Sequence, residues 1–398
     1  MKTIGIIGAG LIGRLIALQL IRQGYQVTLF DKDKKTARNS AAYAAAGLLT
    51  PLGEALHCER NIVEMGFESM KLWPKILASL DKNTFFQQAG SLLVSHEQDQ
   101  GDYQRFDRFI KGHYAEHAIT NLNRDGLLAL EPELGRSFKQ GIFLPQEGQI
   151  GNRELLTALE FQLEKEGVDW HSETCVEEIK PDDKGCVIGI RQQDESLASS
   201  DKAVGIKQIR FFDQVIDCRG TGAKNKMLSK QSAQLTNLRA VRGEMFRLYA
   251  PDVNLSRPIR LMHPRYQLYI APKNDGHFAI GATQIESEDL SAMTVRSAME
   301  LLSAAYSVHP GFAEANIEQH ISQLRPAFDN NQPQILASKN LIQVNGLFRH
   351  GYLISPVVMS QVCELVSNLD NDKAHHIACQ YSHWLPITEH AFSHKKSA

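Results

Sequence analysis

KTIGIIGAGLIGRLIALQLIRQGYQVTLFD, residues 2–31, decides the reading of the fold. Residues 2–7 are an apolar, isoleucine-rich run, the composition of a short buried strand. Gly8-Ala9-Gly10-Leu11-Ile12-Gly13 follows at once, and the apolar spacing predicts a helix over residues 11–23. Gly24 ends that helix, and residues 25–30 read as a second strand that stops at Asp31. Strand, G-x-G-x-x-G turn, helix and strand make a dinucleotide-binding βαβ unit. Gly8 makes the tight turn, Gly10 lets backbone approach a pyrophosphate, and Gly13 lets helix and strand pack closely. The helix start, with Leu11 and Ile12, offers free N–H groups and partial positive charge to that phosphate. Asp31 is placed to accept hydrogen bonds from a ribose hydroxyl. A glycine-rich turn in an ordinary α/β protein is the alternative, and the fingerprint does not separate NAD from FAD.

A chain of 398 residues buries a large core and divides into about two domains. Its 43% hydrophobic and 22% charged residues are those of a globular protein. A net charge of −2 without a basic stripe argues against nucleic acid as a partner. Six cysteines, Cys58, Cys175, Cys186, Cys218, Cys363 and Cys379, are scattered without a CxxC pair. That suits reduced thiols in the cytoplasm better than disulfides or a zinc site. The first strand begins at residue 2, so no signal peptide is expected, and Arg14, Gln19 and Arg22 break the first apolar run short of a membrane span.

Beyond Asp31 lies SAAYAAAGLLTP, residues 40–51. Its small side chains let backbone lie against a flat ligand, although a tightly packed helix start would read the same way. Residues 59–80 predict a long amphipathic helix, residues 85–94 a strand pair around Gly90, and residues 102–118 a charged, solvated helix. Residues 141–151 read as strand and loop, and Asn152 is expected to cap a helix running to about Glu166. Short strands follow at 168–170, 174–179 and 185–191, then a polar hairpin loop at 194–205. A buried strand over 212–218 runs into Arg219-Gly220-Thr221-Gly222, where dinucleotides sit at a sheet's carboxyl edge. From Val241 alternating strands (241–249, 259–262, 267–272, 277–282) predict an antiparallel sheet and an inserted second domain. A helix over 292–307, a strand over 316–324 ending at Arg325-Pro326, a strand over 341–344, a loop over 346–356 and a helix over 357–368 complete the chain. The tail holds His375, His376, His383, His390 and His394 without clustered carboxylates or cysteines, so no metal site is expected.

Five segments in this order resemble the D-amino acid oxidase family of flavoproteins, and most closely its glycine oxidase branch. They are GIIGAGLIG with Asp31, SAAYAAAGLLTP, VRGEM (241–245), YIAPKNDGHFAIGAT (269–283), and the pair LRPAF and FRHGYLISP. The resemblance implies FAD rather than NAD, held non-covalently, because no cysteine lies between Cys218 and Cys363. It implies an α/β, overall α+β fold: a Rossmann-like FAD-binding domain (1–84, 141–240 and 320–398) around an antiparallel-sheet substrate domain (85–140 and 241–319). It places Gly8, Gly10 and Gly13 on the pyrophosphate, Asp31 on the ribose, and Val176 on the adenine side through its backbone. Ala45, Ala46, Gly47 and Leu48 would line the flavin ring; Gly351, Tyr352 and Leu353 would bring backbone donors to its pyrimidine edge. Arg325, Arg349 and Tyr269 match positions that hold a substrate carboxylate, a task for which planar guanidinium forks and a phenol are suited. Departures are Asn330-Asn331 for an Asp-Gly turn, His350 for Asn, and Tyr352 for a smaller residue. Tyr352 is expected to narrow the pocket or to redirect it; His350 is expected to be a satisfied structural histidine, titration near neutral pH being the alternative.

The implied activity is oxidation of glycine, sarcosine or a small D-amino acid to the imine, with hydride passing to flavin N5 and electrons to dioxygen or another acceptor. The glycine imine would serve thiamine thiazole synthesis. No general base is evident, and none is needed if orientation and charge placement come from the protein. Alternatives are a D-amino acid dehydrogenase passing electrons to a quinone, an NAD-dependent dehydrogenase, or a non-catalytic flavoprotein that assists assembly. A homo-oligomer remains open.

Overall fold

The computed structural model describes residues 1–134, 138–192, 206–224, 235, 237–263, 268–371 and 377–389. The expected loop over 194–205, the start of the 267–272 strand, and His375, His376, His390 and His394 lie outside them.

The βαβ unit forms as read: Thr3–Ile7, helix Leu11–Arg22 and Gln26–Phe30. The two strands pair in parallel within a seven-stranded sheet. Its order is Ile387–Glu389, Gln334–Ala337, Leu341–Asn345, Gln214–Asp217, Thr3–Ile7, Gln26–Phe30, Asp169–His171. Five of these, from Leu341–Asn345 to Asp169–His171, run parallel. All five therefore present their carboxyl ends to one edge, where ligands of open α/β sheets bind. A mixed eight-stranded sheet stands beside it, ordered Asn316–Ala327, Arg239–Tyr249, His277–Gly281, Leu268–Pro272, Ile259–Met262, Ser91–Ser95, Gln140–Leu144, Thr120–Asn123. Its pairs are antiparallel except for Ile259–Met262 beside Ser91–Ser95. The fold is thus the expected mixture of α and β. The second sheet takes in Gln140–Leu144 and all of Asn316–Ala327.

The first helix is buried almost all round, between the parallel sheet and helices Asn152–Lys165 and Gly351–Asp370. Arg14 is fully buried within it; its guanidinium donates to the carbonyls of Ala9 (2.8 Å), Leu156 (2.6 Å) and Lys35 and lies over the Trp170 ring. Burial lowers its pKa to about 10, so it remains a cation. Helix Arg60–Ala78 meets the C-terminal helix at Gly66, where a Cβ would stand 3.0 Å from Leu353 Cδ1. Beside it the indole of Trp73, wholly buried, donates to the Tyr352 carbonyl at 3.0 Å. Removing that ring would cost about 3–5 kcal/mol.

Several local expectations are corrected. The strands around Gly90 do not pair with each other: Phe86–Gln87 joins Gly148–Ile150, whereas Ser91–Ser95 enters the eight-stranded sheet. The 212–218 run is broken at Asp213, whose carboxylate accepts from Thr3 N and Oγ1. Phe212 ends a strand, Ile206–Phe212, that polar spacing concealed. Helix Gln100–His113 is charged on one side but buries Tyr103, Phe106 and Ile110. The 346–356 loop is a 3₁₀ turn, Phe348–His350, leading into helix Gly351–Asp370. Asn152 is not a cap: Gly151 holds that position, and the Asn152 side chain turns elsewhere. Asn331, which stands in place of the glycine of an Asp-Gly turn, takes a positive φ of +56°, which asparagine tolerates.

Candidate active site

One cavity of about 1080 Å³ runs from the carboxyl edge of the parallel sheet to the face of the eight-stranded sheet. At the sheet edge its wall is the fingerprint turn. Gly8 has φ +100° and no room for a side chain, since a Cβ would meet Cys218 O at 2.6 Å. A Cβ on Gly13 would lie 1.9 Å from Gly8 O, so Gly13 serves close packing and does not line the cavity. A Cβ on Gly10 would meet nothing within 4 Å; it would project into open space at the helix start. No side chain caps this helix, so its first N–H groups remain for a ligand. Asp31 lines the cavity, and its two oxygens accept from Ala9 N and from Asp33 N (2.7 Å). It ties the fingerprint turn to the end of the second strand. A carboxylate has about four lone-pair sites, so each oxygen keeps one for a ribose hydroxyl.

The small-residue stretch forms the next wall. Ser40 caps the short helix Ala41–Ala44, accepting from Tyr43 N at 3.1 Å. Ala45, Ala46, Gly47 and Leu48 line the cavity. Gly47 has φ +71°, and a Cβ there would stand 2.2 Å from Ile150 O. Three side chains fix the stretch from behind, and sequence reasoning missed this use of them. Arg247 donates to Ala45 O and Asn152 Oδ1 (both 2.8 Å), Asn152 Nδ2 donates to Ala42 O and Tyr43 O (both 3.0 Å), and the Tyr352 hydroxyl approaches Ala42 O (3.1 Å) and Asn152 O (3.2 Å). Tyr352 was expected to narrow the substrate pocket; its hydroxyl is instead directed to these backbone carbonyls.

Gly351, Tyr352 and Leu353 open the C-terminal helix and line the cavity. This helix also lacks a capping side chain. Two uncapped helix starts therefore face one cavity, each favouring negative charge. Gly220, with φ +56°, lines it too, and Asn345 Nδ2 donates to its carbonyl at 3.0 Å. Val176 does not line it. Its side chain packs with Ile179, Ile188 and Phe212, and its carbonyl receives Arg219 Nη1 at 3.4 Å.

The far end belongs to the eight-stranded sheet. Register sets Arg260 opposite Tyr269, Tyr269 opposite Gly281, and Gly281 opposite Met245. Directly opposed residues share a face. Arg325 faces Val241, two residues from Gly243 and four from Met245, so it joins that face. Arg325 lies inside strand Asn316–Ala327, and its Nη1 donates to Thr283 O at 3.0 Å. Thr283 is held in turn: its hydroxyl donates to Glu244 Oε2 (3.0 Å), and buried Glu244 pairs with Arg242 at 2.6 Å. Phe348 packs on Val241 and Ala327, which docks the 3₁₀ turn on the sheet and brings Arg349 to Arg325 and Tyr269.

Arg349 falls in the expected 346–356 loop, where glycines on either side would hold it less firmly than Arg325. It is held instead: its Nη2 pairs with Glu54 at 2.7 Å and its Nη1 donates to Gln284 at 3.3 Å. Glu54, on the turn Pro51–Glu54, also receives Arg260. Burial pushes the Glu54 carboxyl up, but Arg260, Arg349 and the neighbouring His350 outweigh it and hold the group well below the usual range. Burial drives His350 down to about 4, and among the described residues its Nδ1 has no hydrogen-bond partner, so it is neither a neutral-pH switch nor fully satisfied there. Burial raises Tyr269 above the ordinary phenol value, keeping its hydroxyl a donor. No sequence motif marked Glu54 or Arg260; only the turn and the strand register bring them together. Among the described residues, Glu64, Glu116 and His117 form the one triplet close enough for a metal, and Arg60 already pairs with both glutamates.

The family model described as FAD dependent oxidoreductase matches residues 3–365. The chain belongs to this family. It is 32% identical over 355 residues, 89% of the chain and 93% of the relative, to a Rhizobium etli protein provisionally named thiamine biosynthesis oxidoreductase ThiO. It is 25% identical over 378 residues to the bifunctional ThiO/ThiG protein of Trichormus variabilis, matching 93% of the chain and 53% of that protein. The chain thus spans about half the length of the bifunctional relative. The crystal structure of glycine oxidase from Geobacillus kaustophilus superposes with a TM-score of 0.77 at 22% identity, covering 92% of this chain and 95% of that one. The fold is that of the glycine oxidase structure, the cofactor of this family is FAD, and the chain is an FAD-dependent oxidoreductase similar to ThiO. The cavity fits the cofactor by its own features: glycines without room for Cβ atoms, two uncapped helix starts and a wall of small residues.

Proposed function

We propose that the protein oxidises a small amino acid, glycine, sarcosine or a small D-amino acid, to its imine. The observation that carries this reading is the cluster of Arg325, Arg349 and Tyr269 in the same cavity as the dinucleotide fingerprint. When bound, the flavin supplies the two-electron acceptor. The chain's own residues bind and orient. Arg325 grips the substrate carboxylate through parallel N–H groups, and the Tyr269 hydroxyl adds a third donor. Fixing the carboxylate fixes the α-carbon, and orientation supplies much of the catalysis in such a step. The Arg325 charge stabilises the anionic amino acid, whose amine is neutral, and Arg349 flanks it as the secondary group. The helix start at Gly351, Tyr352 and Leu353 stabilises negative charge developing beside it.

The chain is further inferred to hold FAD non-covalently, with Gly8, Gly10, Leu11, Ile12 and Asp31 on the ADP half and residues 45–48, Gly220 and 351–353 around the ring. We infer two domains, one for each large sheet, with Gln140–Leu144 and Asn316–Ala327 counted with the substrate domain; sheet membership supports this division. The relatives' names support a role in thiamine synthesis, with dioxygen or another acceptor taking the electrons. Among the described residues no helix is long and apolar enough to cross a membrane.

Anaerobic mixing of the FAD-loaded protein with glycine, sarcosine and D-alanine tests the reading. Bleaching of the flavin absorbance is expected. A flavin that no amino acid bleaches would point to the non-catalytic alternative. Bleaching followed by reoxidation with a quinone but not with dioxygen would indicate the dehydrogenase.

A further inference from the structure

The two arginines of the pocket differ in their electrostatic state. Among the described residues, the Arg325 guanidinium has a carbonyl partner, Thr283 O, and no carboxylate. No described carboxylate pairs with it directly, so its charge is open to a substrate. The Arg349 guanidinium is compensated, because Glu54 pairs with it at 2.7 Å. Glu54 cannot turn away from the pocket easily: its other oxygen receives Arg260, and its backbone lies in the Pro51–Glu54 turn. That turn is anchored by Glu147, buried beside Arg260, which accepts from Gly53 N at 2.8 Å.

We propose that Glu54 is a specificity-determining residue that restricts this site to substrates bearing one carboxylate. The inference rests on the amino-acid reading above and refines it. One carboxylate pairs with Arg325 and Tyr269 and cancels the single free charge. A second carboxylate reaching toward Arg349 would meet the fixed negative charge of Glu54, and like charges brought together without water repel strongly. Cations that already carry a resident anion add little attraction for another. Removing the Glu54 charge would take from Arg349 and Arg260 the carboxylate they share beside the pocket, which favours a second anion there.

The experiment uses the FAD-loaded protein and two inert anions, acetate and malonate, whose binding is read from the perturbation of flavin absorbance. Wild type is expected to bind acetate more tightly than malonate; equal or tighter malonate binding overturns the proposal, and needs no variant. Turnover of glycine is compared with that of iminodiacetate, which carries two carboxylates on one amine. Glu54→Gln is expected to shift kcat/KM toward iminodiacetate by about tenfold, chiefly through KM. A shift below about threefold, or an equal loss for both substrates, overturns the proposal. Glu54→Asp, which keeps the charge, is expected to keep the wild-type order of preference. If no amine is oxidised by any form, yet acetate and malonate are discriminated as expected, the reaction assigned above fails while the charge assignment stands.

Discussion

The Arg325 guanidinium lies against the backbone of Gly243, so closely that a Cβ on Gly243 would stand 2.3 Å from Arg325 Cζ. Register explains the contact: Arg325 opposes Val241, and Gly243 is its diagonal neighbour on the same face. The glycine of VRGEM is therefore the seat of the substrate-binding arginine, while Arg242 and Glu244 on either side reach it from behind through Thr283. Gly243→Ala should push the guanidinium out of place without touching the dinucleotide end. The expected result is a rise in KM for glycine equivalent to about 1–3 kcal/mol, the scale of overpacking. Flavin content should be unchanged, and loss of FAD from this variant would contradict the assignment.

Arg325→Lys should cost about 2–4 kcal/mol in kcat/KM, because the charge stays but the planar fork is lost. Arg349→Lys should cost less, since Arg349 shares its charge with Glu54. A primary amine without a carboxylate should be almost inert on wild type. Steady-state kinetics on the two variants checks the order; an Arg325→Lys enzyme as fast on glycine as wild type would make that arginine structural.

Tyr352→Phe tests the corrected role of that side chain. Its hydroxyl lies by Ala42 O and Asn152 O. The variant should lose about 0.5–1.5 kcal/mol of stability, the net worth of one hydrogen bond. The ratio of glycine to D-alanine turnover should stay at its wild-type value, read from initial rates. A changed ratio would return Tyr352 to the substrate pocket.

What could be read from the sequence followed from periodicity and local chemistry. The βαβ unit, the small-residue stretch and the alternating strands after Val241 each carry their pattern within a few residues. Segments near 350 misled because Gly346, Gly351 and Pro356 look like loop residues. Yet Gly351 is the first residue of a helix, and Pro356 lies in its second turn, where the Tyr352 carbonyl that it leaves without a helical donor accepts from the Trp73 indole at 3.0 Å. Asn152 misled in the same way, because a good capping residue was recruited by carbonyls of a segment 109 residues earlier. The Glu54, Arg260 and Arg349 cluster was illegible for a different reason. Its members come from a turn, a strand and a 3₁₀ turn far apart in the chain, and ion pairs of that kind have no periodicity.

Glu147 gives a pH dependence whose sign can be worked out. It is wholly buried, accepts from Gly53 N and Ser91 Oγ, and lies near Arg260. Burial pushes its carboxyl from 4.5 up to about 7, against the lowering effect of those partners. Between these values the folded chain holds a proton that the unfolded chain has released. Stability from this group is therefore greatest below the unfolded value and falls as pH rises through about 7. Glu147→Gln cannot ionise and should flatten that fall, gaining on wild type by on the order of 1–3 kcal/mol from about pH 5 to 8. Denaturant melts of both proteins across that range check it. His350, held down at about 4 by burial, acts oppositely, with stability lost as pH falls from 6.5 toward 4, so the difference between the two proteins is the quantity to follow.

Asp31 offers the last test, and it distinguishes two ways of losing the cofactor. Its carboxylate accepts two backbone N–H groups, those of Ala9 and Asp33, while lining the cavity. An asparagine offers one acceptor oxygen and sets an NH₂ donor against the other N–H. Asp31→Asn is therefore not conservative here, although it would still bond a ribose hydroxyl. If Asp31 served the ribose alone, Asn would bind FAD nearly as well as Asp, and only Ala would fail. If it also braces the fingerprint turn, both variants should weaken FAD by about 1–3 kcal/mol, with Asn recovering little of the loss. Burial also raises the Asp31 carboxyl above the ordinary range. Wild-type affinity for FAD should accordingly begin to fall, on acidification, at a higher pH than an exposed aspartate would dictate. Titration of the apoprotein with FAD, followed by flavin fluorescence at several pH values, reads both effects; Asn binding as tightly as wild type would confine Asp31 to the ribose.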